Sequence, residues 1–249
     1  MMFDLAGRVA LVTGGGQNQG AGIARALAAQ GAAVAVNDLH GERAEAVAKE
    51  IAARGGRALA TPFDVTDLAA VGAGVARVAR ELGPVDVLVN NAGVPENMGI
   101  AQFREMDPAL WRRYVDLNLY GVTNCCKAVI DGMCTRGFGR VITISSGAGQ
   151  TGLALGVSLY AAGKGGAISF MRHLALETAR FGVTANTLAL GLMSNAGGAE
   201  VTAALAKTVP LGRLGTPEDV GAACVYLASN EAAWLTGQTI GLNGGNLTS

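Results

Sequence analysis

RVALVTGGGQNQGAGIARALA, Arg8 to Ala28, is the stretch that decides the fold. Arg8 to Val12 is a short apolar run without polar alternation, the pattern of a strand covered on both faces. From Gly22 onward, Ile23, Ala24, Ala26, Leu27 and Ala28 read as helix. Between the two lies the glycine cluster TGGGQNQGAG. A strand that passes through a glycine turn into a helix gathers backbone N–H groups and the positive end of a helix dipole at one point, where the pyrophosphate of a dinucleotide binds. The glycines do not follow the G-x-G-x-x-G spacing, so the position of the turn after the first strand carries more weight than the motif.

Outward from there the chain alternates. Strands are expected at Ala33–Asn37, Arg57–Phe63, Val85–Val89, Arg140–Ile144, Val183–Leu188 and Gln238–Leu242. Helices are expected at Gly41–Arg54, Leu68–Leu82, Pro108–Met133, Ser158–Arg180 and Pro217–Ala228. Leu190 to Val209 is rich in glycine and alanine and loosely patterned. Alternation of this kind means parallel strands joined by right-handed crossovers. The expected fold is α/β, one doubly wound parallel sheet flanked by helices, in a single domain over residues 1–249.

Composition bounds the class. Half of the 249 residues are hydrophobic, 15% are charged and the formal net charge is zero, which argues against a nucleic-acid surface. The N-terminus reads Met1-Met2-Phe3-Asp4, without the pattern of a leader, and no apolar run approaches the ~18 residues needed to cross a membrane. Cys125, Cys126, Cys134 and Cys224 fit neither a metal spacing nor a disulfide ladder. A reduced, cytoplasmic protein without membrane contact or metal is expected. His40 and His173 form no ligand cluster.

Chemistry concentrates between Ser145 and Lys164, SSGAGQTGLALGVSLYAAGK. Tyr160 and Lys164 are spaced i,i+4 and share one helix face. A free tyrosine titrates near ~10, and a neighbouring ammonium favours its phenolate, giving a phenol able to exchange a proton with an alcohol or carbonyl oxygen. Ser145 or Ser146, at the end of the preceding strand, can hold that same oxygen. Asp38 follows strand two, where a carboxylate can bind adenosine ribose hydroxyls.

With these pieces in order, the chain resembles the short-chain dehydrogenase/reductases over nearly its whole length. The matching segments are LVTGGGQNQG (Leu11 to Gly20), Asp38, Asp64-Val65, NNAG (Asn90 to Gly93), Asn118, ISS (Ile144 to Ser146), YAAGK (Tyr160 to Lys164), Asn186 and Gly191, then PLGRLGTPEDV and TGQTIGLNGG. The resemblance implies a Rossmann-type fold, a nicotinamide cofactor and a Ser-Tyr-Lys-Asn tetrad. It assigns Asn118 to a water, Ser146 to the substrate oxygen, Tyr160 to acid/base work, and Lys164 to the tyrosine and the nicotinamide ribose. Gly14, Gln17, Asn18, Gly20, Asp38, Asp64, Val65, Asn91, Ala92, Gly93, Tyr160, Lys164, Gly191 and Met193 become cofactor contacts. Residues about 190–209 become a substrate loop. The ISS alignment favours Ser146 over Ser145.

Three departures stand out. Asn18 replaces a loop glycine, and Asn tolerates left-handed backbone better than other side chains. Leu190 replaces a proline, and Asn195 stands where a threonine would touch the nicotinamide amide.

The expected activity is NAD(P)-dependent interconversion of a secondary alcohol and a ketone. The stretches Val94–Met98, Gln150–Leu155 and Leu192–Leu205, mostly apolar with Glu96, Asn97, Gln150 and Ser194 as polar members, suit a small neutral substrate. The alternatives are a reductase of 3-oxoacyl thioesters on acyl carrier protein or CoA and, more remotely, a non-catalytic cofactor-binding protein. Asp38 would repel a 2′-phosphate, so NAD is expected over NADP, with Arg43 a turn into its helix and facing solvent. Val122, Val129, Phe170 and Leu174 are read as an outward apolar face on the two long helices. That face predicts a homotetramer.

Overall fold

A computed structural model describes residues 2–95, 98–194 and 199–248. Seven parallel strands form one sheet: β1 (Val9–Val12), β2 (Ala33–Val36), β3 (Ala58–Ala60), β4 (Val87–Asn90), β5 (Gly139–Ser146), β6 (Val183–Leu190) and β7 (Thr239–Leu242). Their order is β3-β2-β1-β4-β5-β6-β7. The winding reverses between β1 and β4, and a crevice opens beyond their carboxyl ends. Every residue of β1, β2 and β4 is buried, which explains apolar runs without alternation.

Successive strand residues point to opposite faces, and each face has its own core. Val12, Val34, Val36, Val89 and Ile142 pack against α1 (Asn18–Ala29), α2 (Gly41–Ala53) and α8 (Pro217–Ala228). Leu11, Ala35, Leu88 and Val141 pack against α3 (Leu68–Glu81), α5 (Gly121–Arg136) and α6 (Ser158–Thr178). Asp67 starts α3 by accepting from the amides of Ala69 and Ala70.

Several boundaries differ from expectation. The third strand is shorter than Arg57–Phe63. Pro62 has no N–H for a ladder, and Phe63 turns under α3, against Gly74. β5 runs two residues further than expected, so Ser145 and Ser146 still lie on its ladder, opposite Ala189 and Leu190. The loosely patterned 190–209 segment contains α7 (Ala199–Ala206). The helix expected over Pro108–Met133 is a composite. A 3-10 turn (Pro108–Leu110) leads into α4 (Trp111–Val115), a π turn (Asp116–Tyr120) and then α5.

The outward face expected on the long helices is corrected. Val122, Val129 and Leu174 are 4%, 4% and 7% exposed and belong to the core beneath the sheet, and Phe170 is half-buried against it. The spacing Val122, Cys125, Cys126, Val129, Met133 is one i,i+3,i+4,i+7 stripe, which α5 spends on the sheet. Its opposite side carries Lys127 and Asp131, paired at 2.9 Å. Among the described residues no helix is long and apolar enough to cross a membrane.

Candidate active site

The crevice is built first from the glycine turn. Gly14 (φ 58°) and Asn18 (φ 46°) both take left-handed backbone, the conformation the sequence asked of Asn18. A Cβ on Gly20 would fall onto the Gly14 carbonyl, so the turn closes only with glycine there. Asn91 ties it to the end of β4: its Nδ2 donates to the carbonyls of Thr13 and Gly14, both at 3.0 Å. The amides of Asn91 and Ala92 donate to Thr13 Oγ1 at 3.0 and 3.2 Å. Gln17 takes the N-cap position of α1 in extended conformation without a side-chain cap, and no acidic residue lies in the first turn. An anion can take the place of that cap.

Asp38 is buried beside this turn. Its carboxylate accepts from Gly16 N and His40 N, each at 3.1 Å. Arg43 does not simply face solvent as expected. It is half-buried, and a Cβ on Gly16 would come within 2.6 Å of its Cβ. Asp64 is exposed and folds back on Thr66, accepting from its amide and hydroxyl at 2.8 Å. Val65 is buried against Gly121, and Asn124 Nδ2 donates to its carbonyl at 3.0 Å.

The catalytic end lies beyond β4 and β5. Ser146 Oγ accepts from Ala148 N at 3.2 Å and lies beside the Tyr160 hydroxyl. Ser145 is turned away: buried, it donates to the Lys164 carbonyl at 3.2 Å. Lys164 is buried, and its Nζ donates to the Ile144 carbonyl at 2.8 Å. Asn118, fully buried in the π turn, donates from Nδ2 to the Tyr114 carbonyl at 3.0 Å. Its Oδ1 is buried with no hydrogen-bond partner among the described residues. Gly93 is where these groups meet. A Cβ there would strike Lys164 Nζ and lie 2.9 Å from Asn118 Oδ1.

Electrostatics differ from the sequence expectation. Burial pushes the Tyr160 phenol up, and the neighbouring Ser146 hydroxyl pulls it part of the way down. Lys164 sits 5.8 Å from the tyrosine ring centroid with its Nζ on the Ile144 carbonyl, and burial lowers its own pKa to about 8. The i,i+4 spacing set the shared face but not the direction of the ammonium.

Beyond β6, Gly191 N donates to Leu242 O at 3.1 Å, and a Cβ on Gly191 would sit 2.7 Å from Asn243 Cα. Met193 forms a parallel bridge with Gly215. Glu96, Asn97 and Asn195 lie outside the described residues. A cavity of about 350 Å³ opens beside Ala148 and Ala161, between Thr151, Gly152 and Leu153 on one side and Gln102 and Phe103 on the other. Phe103 stacks on Trp111 with ring centroids 5.1 Å apart. Gln102 and Phe103 were missed in the sequence. An aromatic just ahead of an expected helix was the available signal.

Uncapped amides at α1, a buried carboxylate at the end of β2, glycines admitting no side chain and an orphaned amide oxygen together fit a nicotinamide dinucleotide. The family model described as "Enoyl-(Acyl carrier protein) reductase" matches residues 17–246. An acetoacetyl-CoA reductase of Shinella zoogloeoides is 40% identical, over 96% of this chain and 98% of the relative. A cis-4-hydroxycyclohexanecarboxylate dehydrogenase of Sinomonas cyclohexanicum is also 40% identical, over 96% of each chain. The crystal structure of a 3-oxoacyl-[acyl-carrier protein] reductase from Brucella melitensis with bound NAD is 34% identical. It superposes with a TM-score of 0.91 over 99% of this chain and 94% of that one.

Proposed function

The chain belongs to the short-chain dehydrogenase/reductase family of NAD(P)-dependent oxidoreductases, and from that premise we propose that it reduces a short 3-oxoacyl thioester to the 3-hydroxyacyl thioester. The reading rests on one observation above the rest. Ser146, at the end of β5, stands beside the Tyr160 hydroxyl, and buried Lys164 lies one turn on with its Nζ 5.8 Å from the tyrosine ring centroid and on the Ile144 carbonyl, at the open end of the crevice. The thioester reading, rather than the free neutral ketone expected first, is supported by similarity to the acetoacetyl-CoA and 3-oxoacyl reductases.

A bound nicotinamide would supply the hydride. Gly14, Gln17, Asn18 and Gly20 would hold the pyrophosphate, Asp38 the adenosine ribose, Asp64 and Val65 the adenine, and Asn91, Ala92, Gly93, Lys164, Gly191 and Met193 the nicotinamide half. Ser146 and Tyr160 take the carbonyl oxygen as two donors. Tyr160, held protonated by burial, gives up its proton to that oxygen in reduction and recovers it in oxidation. Asn118 Oδ1 offers a buried acceptor that a water can fill next to Lys164.

A small neutral alcohol or ketone stays as the second reading. Among the described residues no charged side chain lines the cavity, and a cyclic alcohol dehydrogenase is equally similar. Loss of NADH absorbance at 340 nm with acetoacetyl-CoA, at least tenfold faster than with free cyclic or acyclic ketones, is the expected result. The reverse order replaces the first reading by the second.

NAD is proposed over NADP because the buried Asp38 carboxylate faces the ribose site. A 2′-phosphate carries ~1.5–2 charges, and at ~5 Å in a medium of dielectric 40–80 the repulsion is roughly 1–3 kcal/mol. Titration at fixed salt should give about ten- to a hundredfold tighter NADH binding, and Asp38→Ala should narrow the gap. Equal binding of NADPH by the parent removes this preference. A homotetramer remains a proposal on other grounds than those first read: β7 ends the sheet, and Trp234 beside it is fully exposed. Light scattering at the monomer mass of 25.1 kDa ends it.

A further inference from the structure

Beyond β6 the chain makes a second, short ladder. Gly215 N donates to Leu192 O at 3.0 Å, and Ser194 N donates to Gly215 O at 2.9 Å. Met193 lies in this ladder, its sulfur so close that a Cβ on Gly215 would sit 2.9 Å from it. The three residues Leu192 to Ser194 are thus held by one glycine.

Gly215 is fixed from its other side. Arg213 donates from its two terminal guanidinium nitrogens to the two oxygens of Asp219, at 2.6 and 2.8 Å, and from Nη1 also to the Leu214 carbonyl at 3.0 Å. Asp219 is the third residue of α8. Its Oδ2 accepts from Thr216 N at 2.8 Å, and its own amide donates to Thr216 Oγ1 at 3.4 Å, closing a capping box. α8 in turn lies hard on α1: Pro217 leaves no room for a side chain on Gly22, nor does Ala26 for one on Gly221. The Arg213 contact holds Asp219 down to about pH 2, so the pair stays ionised at neutral pH. Surface ion pairs in general add little, but a two-pronged one rooted in a helix cap has fixed geometry.

We propose that Arg213 and Asp219 are positioning residues that lock Gly215 to the α1–α8 pair and so set where Leu192 to Ser194 stands over the nicotinamide end of the cofactor site. Their effect is exerted through Gly215. The same α1 that presents the pyrophosphate end thereby fixes the far end of the site. This rests on the reading that a nicotinamide dinucleotide binds here.

Arg213→Met tests it, because Thr216 and Asp219 keep the α8 cap intact. The probes are NADH and ADP-ribose, which lacks the nicotinamide. For Arg213→Met, NADH should bind roughly tenfold more weakly, within the range for groups coupled through one network, while ADP-ribose binding should stay within about twofold. Arg213→Lys keeps the charge but not the paired geometry and should fall between, and it serves as the readout if Arg213→Met does not fold. Equal weakening of both probes, or no change in either, overturns the proposal alone. A parent protein that binds neither probe overturns the cofactor reading and this proposal with it.

Discussion

Two long helical segments cross beneath the catalytic end, and they deliver their side chains by opposite means. Ser158–Thr178 is one unbroken α-helix, and the regular i,i+4 spacing puts Tyr160 and Lys164 on the same face. Pro108–Arg136 changes hand-hold three times, and Asn118 sits in the middle of its π turn. A π turn carries one residue more than the α-helix around it, so it swings one side chain off the regular stripe. The sheet claims the α5 stripe, from Val122 to Met133, and Asn118 is turned instead toward Gly93 and Lys164. Regular helix serves where two groups must be aligned; an irregular turn serves where one polar group must reach a buried site without giving up the core.

The contrast breaks first at the unbroken helix. Tyr160→Phe removes the proton donor and leaves the ring in place. Turnover should fall by at least ~10²–10⁴-fold with cofactor binding kept, since that is the usual share of positioned proton transfer. A variant within a few-fold of the parent, by absorbance at 340 nm, would strip Tyr160 of its role.

Lys164→Met separates function from stability. Turnover should drop about 10²-fold, as for other lost electrostatic groups. Stability should move the other way. The lysine is depressed from 10.5 to about 8 in the folded chain. Below pH 8 it is charged in both states, and the folded state bears the full burial penalty, on the order of 3 kcal/mol. From pH 8 to 10.5 the folded form sheds its proton first, and the penalty fades. Losing the donor to the Ile144 carbonyl offsets about 1 kcal/mol. The methionine variant should therefore unfold at higher temperature than the parent at pH 7, with the gap closing by pH 10. A variant less stable than the parent at pH 7 contradicts this sign.

Much of this was legible in the residues. Apolar runs gave the strands, the glycine turn gave the crevice, and the Tyr160–Lys164 pair came from spacing; strand position offered Ser145 or Ser146, and the choice of Ser146 came from the family resemblance. The π turn was not legible, because nothing in DLNLY marks an i→i+5 bond. It is fixed by what packs around it, Val65 on Gly121 and Leu119 against Gly166. The direction of Lys164 was not legible either, since Ile144 is distant in sequence and becomes its partner only through the fold. Val122, Val129 and Leu174 were misplaced for a related reason: a single apolar stripe seen without the sheet looks like surplus.

Asn118→Leu probes the irregular turn itself. The amide gives up its bond to Tyr114 but also loses an oxygen buried without a partner among the described residues. These oppose each other, each about 1 kcal/mol or somewhat more, so stability should change little. Turnover should fall about tenfold, the value of one weakly coupled polar contact near the reacting groups. Unchanged turnover with raised melting temperature would make the π turn a structural accident.

The smallest effect is expected where the two segments touch. Gly163, between Tyr160 and Lys164 in α6, has no side chain, and the π turn uses the space: a Cβ there would lie 2.8 Å from Asn118 Cβ and 3.0 Å from the Tyr114 carbonyl. Gly163→Ala gains helix propensity worth up to ~1 kcal/mol. Against this, overpacking a close crossing costs about 1–3 kcal/mol, because backbone must shift. The clash falls on helix backbone and a Cβ, neither of which can swing aside, so the steric cost should win by ~1 kcal/mol. The shift moves Asn118 and not Tyr160, so turnover should fall only a few-fold. Combining Gly163→Ala with Asn118→Leu should then cost less turnover than the two losses multiplied, because both act through the same amide. Fully multiplicative losses would show that Gly163 reaches the site by way of Lys164, and that the two segments do not divide the work as their geometry suggests.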